Sequence, residues 1–220
     1  KSTLLNAIAG VWKPDFGTIE IDGVDVTRMP EYKRAKFLGR VFQDPMKGTS
    51  PDMEIAENLA IASKRGEKRR FVRGVRKADR EKYRQLLSSL ELGLENRLST
   101  KVGLLSGGQR QAITLLMATM NRPKLLLLDE HTAALDPKTA AKVLELTDQI
   151  VEKNKLTTLM ITHNMRDAIA HGDRLIMMHE GNIIIDVSGE EKKRLTVEHL
   201  LSLFTQASGE GAVSDRMVLN

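Results

Sequence analysis

Four consecutive leucines, Leu125 to Leu128, run straight into the carboxylates Asp129 and Glu130. So short and so continuous an apolar run fits a parallel strand covered on both faces. Its neighbours agree. Ahead of it, Gln109 to Met120 carries Ala112, Ile113, Leu115, Leu116, Met117, Ala118 and Met120, which cover most of a helical circumference and predict a buried helix. Asn121-Arg122-Pro123 stops that helix. Behind the leucines, Asp136-Pro137 supplies an N-cap and a proline at the first helical position, opening a helix with Val143, Leu146 and Ile150 on one face. Thr157 to Thr162 is a further strand with His163 at its end. Strands alternating with helices predict an α/β fold around a parallel sheet, whose ligands collect at the carboxyl ends of the strands. Asp129, Glu130 and His163 all fall there.

The rest of the chain fills in around this core. Lys1 to Ala9 reads as a helix ended by Gly10 and Pro14, and Gly17 to Asp22 alternates like a half-buried strand that turns at Gly23. A short helix through Glu31 to Leu38 leads to a strand over Gly39 to Phe42, broken by Gln43-Asp44-Pro45. Met53 to Leu59 and Arg76 to Leu92 are helical in pattern. Arg174 to Val187 is a β-rich piece turning at Gly181-Asn182, Thr196 to Phe204 is a short helix, and a polar, loose tail is expected from Gln206.

Composition narrows the class. The 220 residues are 41% hydrophobic, enough to bury a core, and the longest apolar runs, Leu125 to Leu128 and Leu175 to Met178 among them, have four residues. Spanning a bilayer takes about 20. The absence of cysteine excludes a disulfide framework and cysteine zinc sites, and fits a reducing compartment. The net charge of +5 is concentrated in Lys64 to Arg84, where eleven Lys and Arg face three carboxylates. Nucleic acid or an anionic membrane could use such a run; a solvated helix and loop face is the commoner explanation and is expected here.

Several short motifs carry chemistry. In Leu105-Ser106-Gly107-Gly108-Gln109-Arg110 the serine can cap the helix that follows, and the glycines let a backbone approach an anion at its N-terminus. Lys1-Ser2-Thr3 at a helix start matches the end of a phosphate loop, in which lysine reaches the β and γ phosphates and serine binds magnesium. Taken in order, Lys1-Ser2-Thr3, Gln43, the stretch from Leu105 to Gln109, Asp129-Glu130 with Asp136, and His163 resemble the phosphate loop, Q-loop, signature, Walker B strand, D-loop and switch histidine of ATP-binding cassette (ABC) ATPases. Ser106 stands 23 positions ahead of Asp129, room for one helix and one strand.

The resemblance implies a P-loop NTPase (RecA-like) core over 1–43 and 109–204, a small antiparallel β portion, and an inserted helical subdomain over about 44–108. Residues 205–220 would form a flexible tail. It implies ATP and Mg2+ as ligands. Lys1, Ser2, Thr3, Ser106, Gly107, Gly108, Gln109 and Asp136 would contact nucleotide, Ser2, Gln43 and Asp129 would serve the metal, and Glu130, His163 and Gln43 would act on water and the γ phosphate. Cassettes of this family pair head to tail, so Ser106 to Gln109 would serve the partner's ATP, in a dimer of like subunits. Lacking the glycines that precede Lys1 in a phosphate loop, this chain is expected to be amino-terminally truncated and inactive by itself, yet able to lend its signature. Glu130 to Pro137, with Leu156 to Met165, is most similar to ATPase subunits of a bacterial importer group labelled tryptophan or tyrosine uptake. That implies a cytoplasmic subunit, peripheral on the inner face of the cell membrane through separate permease subunits, with a substrate-binding protein. Two other kinds of ABC ATPase bear comparison: those acting on nucleic acid or ribosomes, disfavoured by the 61 residues between Gln43 and Leu105, and inactive regulatory cassettes, disfavoured by Glu130 and His163. No specific nucleic acid is expected as a partner.

Overall fold

The computed structural model describes residues 1–67 and 74–208. Within them the chain divides into two compact units, Ser2–Met160 and the part from Ile161 onward, to which Lys1 is also assigned.

The larger unit begins with α1 (Ser2–Ala9), whose Leu5 and Ala9 are buried. β1 (Glu20–Ile21) and β2 (Val24–Asp25) then form a minimal hairpin. Its ordered strand is shorter than the Gly17 to Asp22 alternation suggests, because Asp22 and Gly23 both take positive φ and turn the chain at once. α2 (Glu31–Arg34) is likewise brief, since extended backbone resumes at β3 (Leu38–Val41). α3 (Ile55–Ser63) and α4 (Lys77–Ser88) follow, and then α5 (Gly107–Thr119), β4 (Leu125–Asp129), α6 (Pro137–Asn154) and β5 (Thr158–Ile161).

The order β3-β4-β5 makes a three-stranded sheet in which β3 and β4 are parallel, with Leu38 opposite Leu125 and Val41 opposite Leu128. Leu126 N–H donates to Thr157 O at 2.9 Å on the other side. Leu126, Leu127 and Leu128 are at most 1% exposed, as a centre strand covered on both faces requires. One buried cluster joins Val41, Leu126 and Leu128 to α5 (Ile113, Leu115) and to Ile55, Leu59, Tyr83, Leu87 and Leu94. α3 and α4 therefore grow from the same core as the sheet. Each such leucine contributes about 1.5–3 kcal/mol by burial.

Lys64, Arg76, Lys77, Lys82 and Arg84 of the basic run are exposed, as on a solvated face, while Arg65 and Arg80 are partly buried. Arg65 donates to the carbonyl oxygens of Leu38, Met117 and Ala118, closing the C-terminus of α5, while Arg76 pairs with Asp79, Arg80 with Glu54 and Arg84 with Glu81. Residues 68–73 of that run lie outside the described residues.

The smaller unit contains α7 (Met165–Ala170), the hairpin β6 (Arg174–His179) and β7 (Asn182–Ser188), α8 (Gly189–Lys193) and α9 (Val197–Ser208). Its core is Met165, Leu175, Ile185, Val187, Leu195 and Leu200. The hairpin turns on Glu180 and Gly181, both at positive φ, one residue earlier than the sequence suggests, with a bulge between Met177 and Met178. α9 carries helix past Gln206 to Ser208, where a loose tail was expected; residues 209–220 lie outside the described residues. Lys192, only 5% exposed, donates to Ile169 O and His171 O and so caps the end of α7.

Among the described residues no helix is long and apolar enough to cross a membrane.

Candidate nucleotide site

Parallel pairing decides what meets at the carboxyl edge of the sheet. With Val41 opposite Leu128, the residues that follow, Phe42 and Gln43 on one strand and Asp129 and Glu130 on the next, leave the sheet side by side. A cavity of about 650 Å³ opens there, lined among others by Asn6, Arg40, Gln43, Asp44 and Asp129. Ser2 comes to the same place from the start of α1, its hydroxyl directed at Asp129 Oδ1 from 3.4 Å. That separation is too long for a firm hydrogen bond.

A serine hydroxyl and a carboxylate are hard oxygen donors, the kind that Mg2+ takes. Among the described residues no group of three or more His, Asp or Glu side chains is arranged to hold a metal ion. A cation at Ser2 and Asp129 would have two protein ligands, a set that phosphate oxygens and water complete.

Glu130 leaves the end of β4 with φ at 46°, in the left-handed region that non-glycine residues seldom adopt. Strain of this kind costs on the order of 1–3 kcal/mol and collects at functional sites. The turn is fixed by Ala133 N–H donating to Glu130 O at 3.0 Å, and by Leu135 N–H donating to Thr132 O at 3.1 Å. Beneath it His131 is buried, its Nε2 lying 3.1 Å from Thr147 Oγ1, while that hydroxyl donates to Val143 O at 2.7 Å. With the threonine proton committed to Val143, the imidazole is the donor to Thr147. The segment after Asp129 is thus pinned to α6 by a side chain that the sequence motifs did not single out.

Asp136 caps α6, accepting from Thr139 N–H at 3.1 Å. Hydrogen bonding from the side chain of Thr139, and then from its backbone N–H, holds the carboxyl below the usual aspartate range. Ser106 caps α5 in a reciprocal box: its hydroxyl accepts from Gln109 N–H, and Gln109 Oε1 accepts from Ser106 N–H, both at 3.3 Å. The Gln109 side chain accordingly folds back on its own helix end. Ser106 and Gly107 are exposed, so the helix N-terminus is open to an incoming anion, whereas Gly108 is buried. Arg110 secures the preceding loop by donating to Val102, Gly103 and Leu105 carbonyls.

The two motifs are packed together. A Cβ at Gly108 would collide with Cγ2 of Thr139 in the first turn of α6. Gly108→Ala is therefore expected to destabilise the protein by about 1–3 kcal/mol. Thr139→Ser, which removes that methyl and keeps the hydroxyl, should recover most of the loss. A denaturant double-mutant cycle measures the coupling, and additive effects would show that the glycine has no such neighbour.

Lys1, Thr3 and Gln43 are exposed. Ser2, Gln43 and Asp129 are brought together in the larger unit; Lys1 and His163 belong to the smaller one. His163 is exposed after β5, and α7 follows with Asn164 as its N-cap, accepting from Arg166 N–H and Asp167 N–H. On α7, burial pushes the Asp167 carboxyl up, partly offset by the charges of His171 and His163.

The profile of the family described as ABC transporter matches residues 1–133. A tyrosine transport ATP-binding protein of Clostridioides difficile (strain R20291) is 48% identical over 210 residues, covering 94% of this chain and 82% of the relative. The thiamine import ATP-binding protein of Escherichia coli (strain K12) is 32% identical over 183 residues, covering 83% and 74%. Among solved structures, the ADP conformation of an ATP-binding cassette of an ABC transporter superposes with a TM-score of 0.74 at 26% identity, covering 100% of this chain and 84% of that one. A dimeric cassette in a post-hydrolysis state, bound to ADP and Pi, gives 0.69 at 28% identity, covering 85% and 79%. The family profile, the relatives and the solved structures agree: this chain belongs to the ABC transporter family, as one of its nucleotide-binding ATPase cassettes.

Proposed function

We propose that this chain is the ATP-hydrolysing subunit of a bacterial importer, held on the inner face of the membrane by separate permease subunits and working with a substrate-binding protein. Import is supported by the relatives, which are named for tyrosine transport and for thiamine import. Cargo is selected by other subunits of the assembly, and the helical part over about 44–108 passes the conformational change to the permease.

The observation that carries the site assignment is the approach of Ser2 Oγ to Asp129 Oδ1 at the mouth of the cavity that Gln43 lines. Ser2 and Asp129 would hold Mg2+, which when bound neutralises charge on the β and γ phosphates. Lys1 and Thr3 bind the phosphates, Glu130 orients the attacking water and takes its proton, and Gln43 and His163 complete the surroundings of the γ phosphate. Ser106, Gly107 and Gly108 bind the ATP of a second, identical subunit, with Gln109 and Asp136 shaping that edge. Little covalent chemistry falls to the protein; positioning and charge do the rest.

The metal assignment is tested by Asp129→Asn in the full-length protein. The amide cannot supply the anionic oxygen, so half-maximal stimulation of ATP hydrolysis should require at least about tenfold more Mg2+, while metal-free nucleotide binding changes little. An unchanged Mg2+ dependence would remove Asp129 from the metal.

A further inference from the structure

Arg40 is a charged residue on a strand otherwise made of Leu38, Gly39 and Val41, and only 15% of its side chain is exposed. Its Nη2 lies 3.9 Å from Asp129 Oδ2, the carboxylate oxygen opposite the one that faces Ser2. What holds the guanidinium is not that carboxylate. Nη2 donates to Asn6 Oδ1 at 2.7 Å, and the guanidinium carbon sits 4.5 Å from the centre of the Phe42 ring, two residues along the same strand face. Asn6 is one helical turn beyond Ser2, so Arg40 is fastened to the helix that carries the serine. Its Nε is buried without an acceptor among the described residues.

These contacts describe a cation fixed beside Asp129 without being spent on it. At 3.9 Å the pair is electrostatic and not a committed hydrogen bond, which leaves Asp129 able to take another cation. We propose that Arg40 is a positioning residue that acts as the resident counter-charge of Asp129: it balances the carboxylate when no divalent ion is present, and its positive charge weakens the hold on that ion once bound, easing release of the metal with ADP. The inference rests on Ser2 and Asp129 being the metal-facing pair.

The test is Mn2+ binding to the full-length protein with ADP, followed by electron paramagnetic resonance, with a stopped-flow measurement of Mn2+ release. Arg40→Met removes the charge and is expected to tighten Mn2+ about threefold to tenfold and to slow its release by a similar factor. Arg40→Lys keeps a charge and should stay within about twofold of the wild-type affinity. If Arg40 merely props the fold, both variants bind Mn2+ more weakly, and that result overturns the proposal. So does an unchanged affinity in Arg40→Met. Asp129→Asn separates this from the site assignment: if wild-type Mn2+ binding does not depend on Asp129, both fall, whereas dependence on Asp129 without tightening in Arg40→Met overturns the role of Arg40 alone. Urea midpoints report whether each variant folds.

Discussion

Glu130→Gln is expected to lower ATP turnover by about a hundredfold to ten-thousandfold while ATP binding persists, the range lost with a general base. The amide has the shape of the carboxylate and can keep the backbone turn at φ 46°, but it cannot accept a proton from water. Phosphate release measures the first quantity and equilibrium binding of a fluorescent ATP analogue the second, both in the full-length protein. In the proposed pairing, bound, unhydrolysed ATP joins two cassettes, so the variant should also accumulate as an ATP-dependent dimer in size-exclusion chromatography. Wild-type turnover would remove Glu130 from the water. Loss of binding together with turnover would instead mean that the substitution disturbs the segment after β4, which His131 pins to α6.

The largest expected effect on stability belongs to a residue outside every motif. Arg34 is 1% exposed, and its guanidinium donates to four backbone carbonyls: Met29 at 2.8 Å, Ala7 at 2.7 Å, Ile8 at 2.8 Å and Thr27 at 2.9 Å. Ala7 and Ile8 lie in the last turn of α1, where carbonyls lack partners within the helix and the dipole favours a cation. Met29 and Thr27 belong to the connection between β2 and α2. One side chain thus ties the end of α1 to the connection that follows the small hairpin. Arg34→Met would leave those carbonyls facing an apolar group at about 1–3 kcal/mol each, so a loss of about 4 kcal/mol or more is expected even after some water enters. Urea unfolding should show it as a lower midpoint, with Arg34→Lys recovering part because an ammonium cannot reach all four acceptors at once. A change below about 1 kcal/mol would show that the network is dispensable. Since α1 begins at Ser2, a surviving Arg34→Met protein should also bind MgATP more weakly.

How much of this was legible beforehand differs from residue to residue. Local pattern was enough for α5, β4 and α6, because a covered strand, an all-round apolar helix and an Asp-Pro start are written in consecutive residues. It was not enough for the ends of short elements. The strand expected at Gly17 to Asp22 shrank to Glu20–Ile21, where positive φ at Asp22 and Gly23 overrides alternation, and α9 outlasts its apolar face. Arg65 read as one more cation in a basic run, yet it closes a helix more than fifty positions away, an acceptor set that only the folded chain assembles. His131 and Arg40 gave weak signals: a histidine inside a motif, and a charge inside an apolar strand.

By itself the sequence determined the α/β class, the family and the order of its motifs, because these depend on residue type at short spacing. Tertiary structure decided which of them meet. Parallel register carries Gln43 and Asp129 to one edge, and the start of α1 brings Ser2 within 3.4 Å of that carboxylate across 127 positions of chain. It also set a guanidinium on the carboxylate's other side. Proximity between distant residues follows from packing and hydrogen-bond register, which no local pattern encodes.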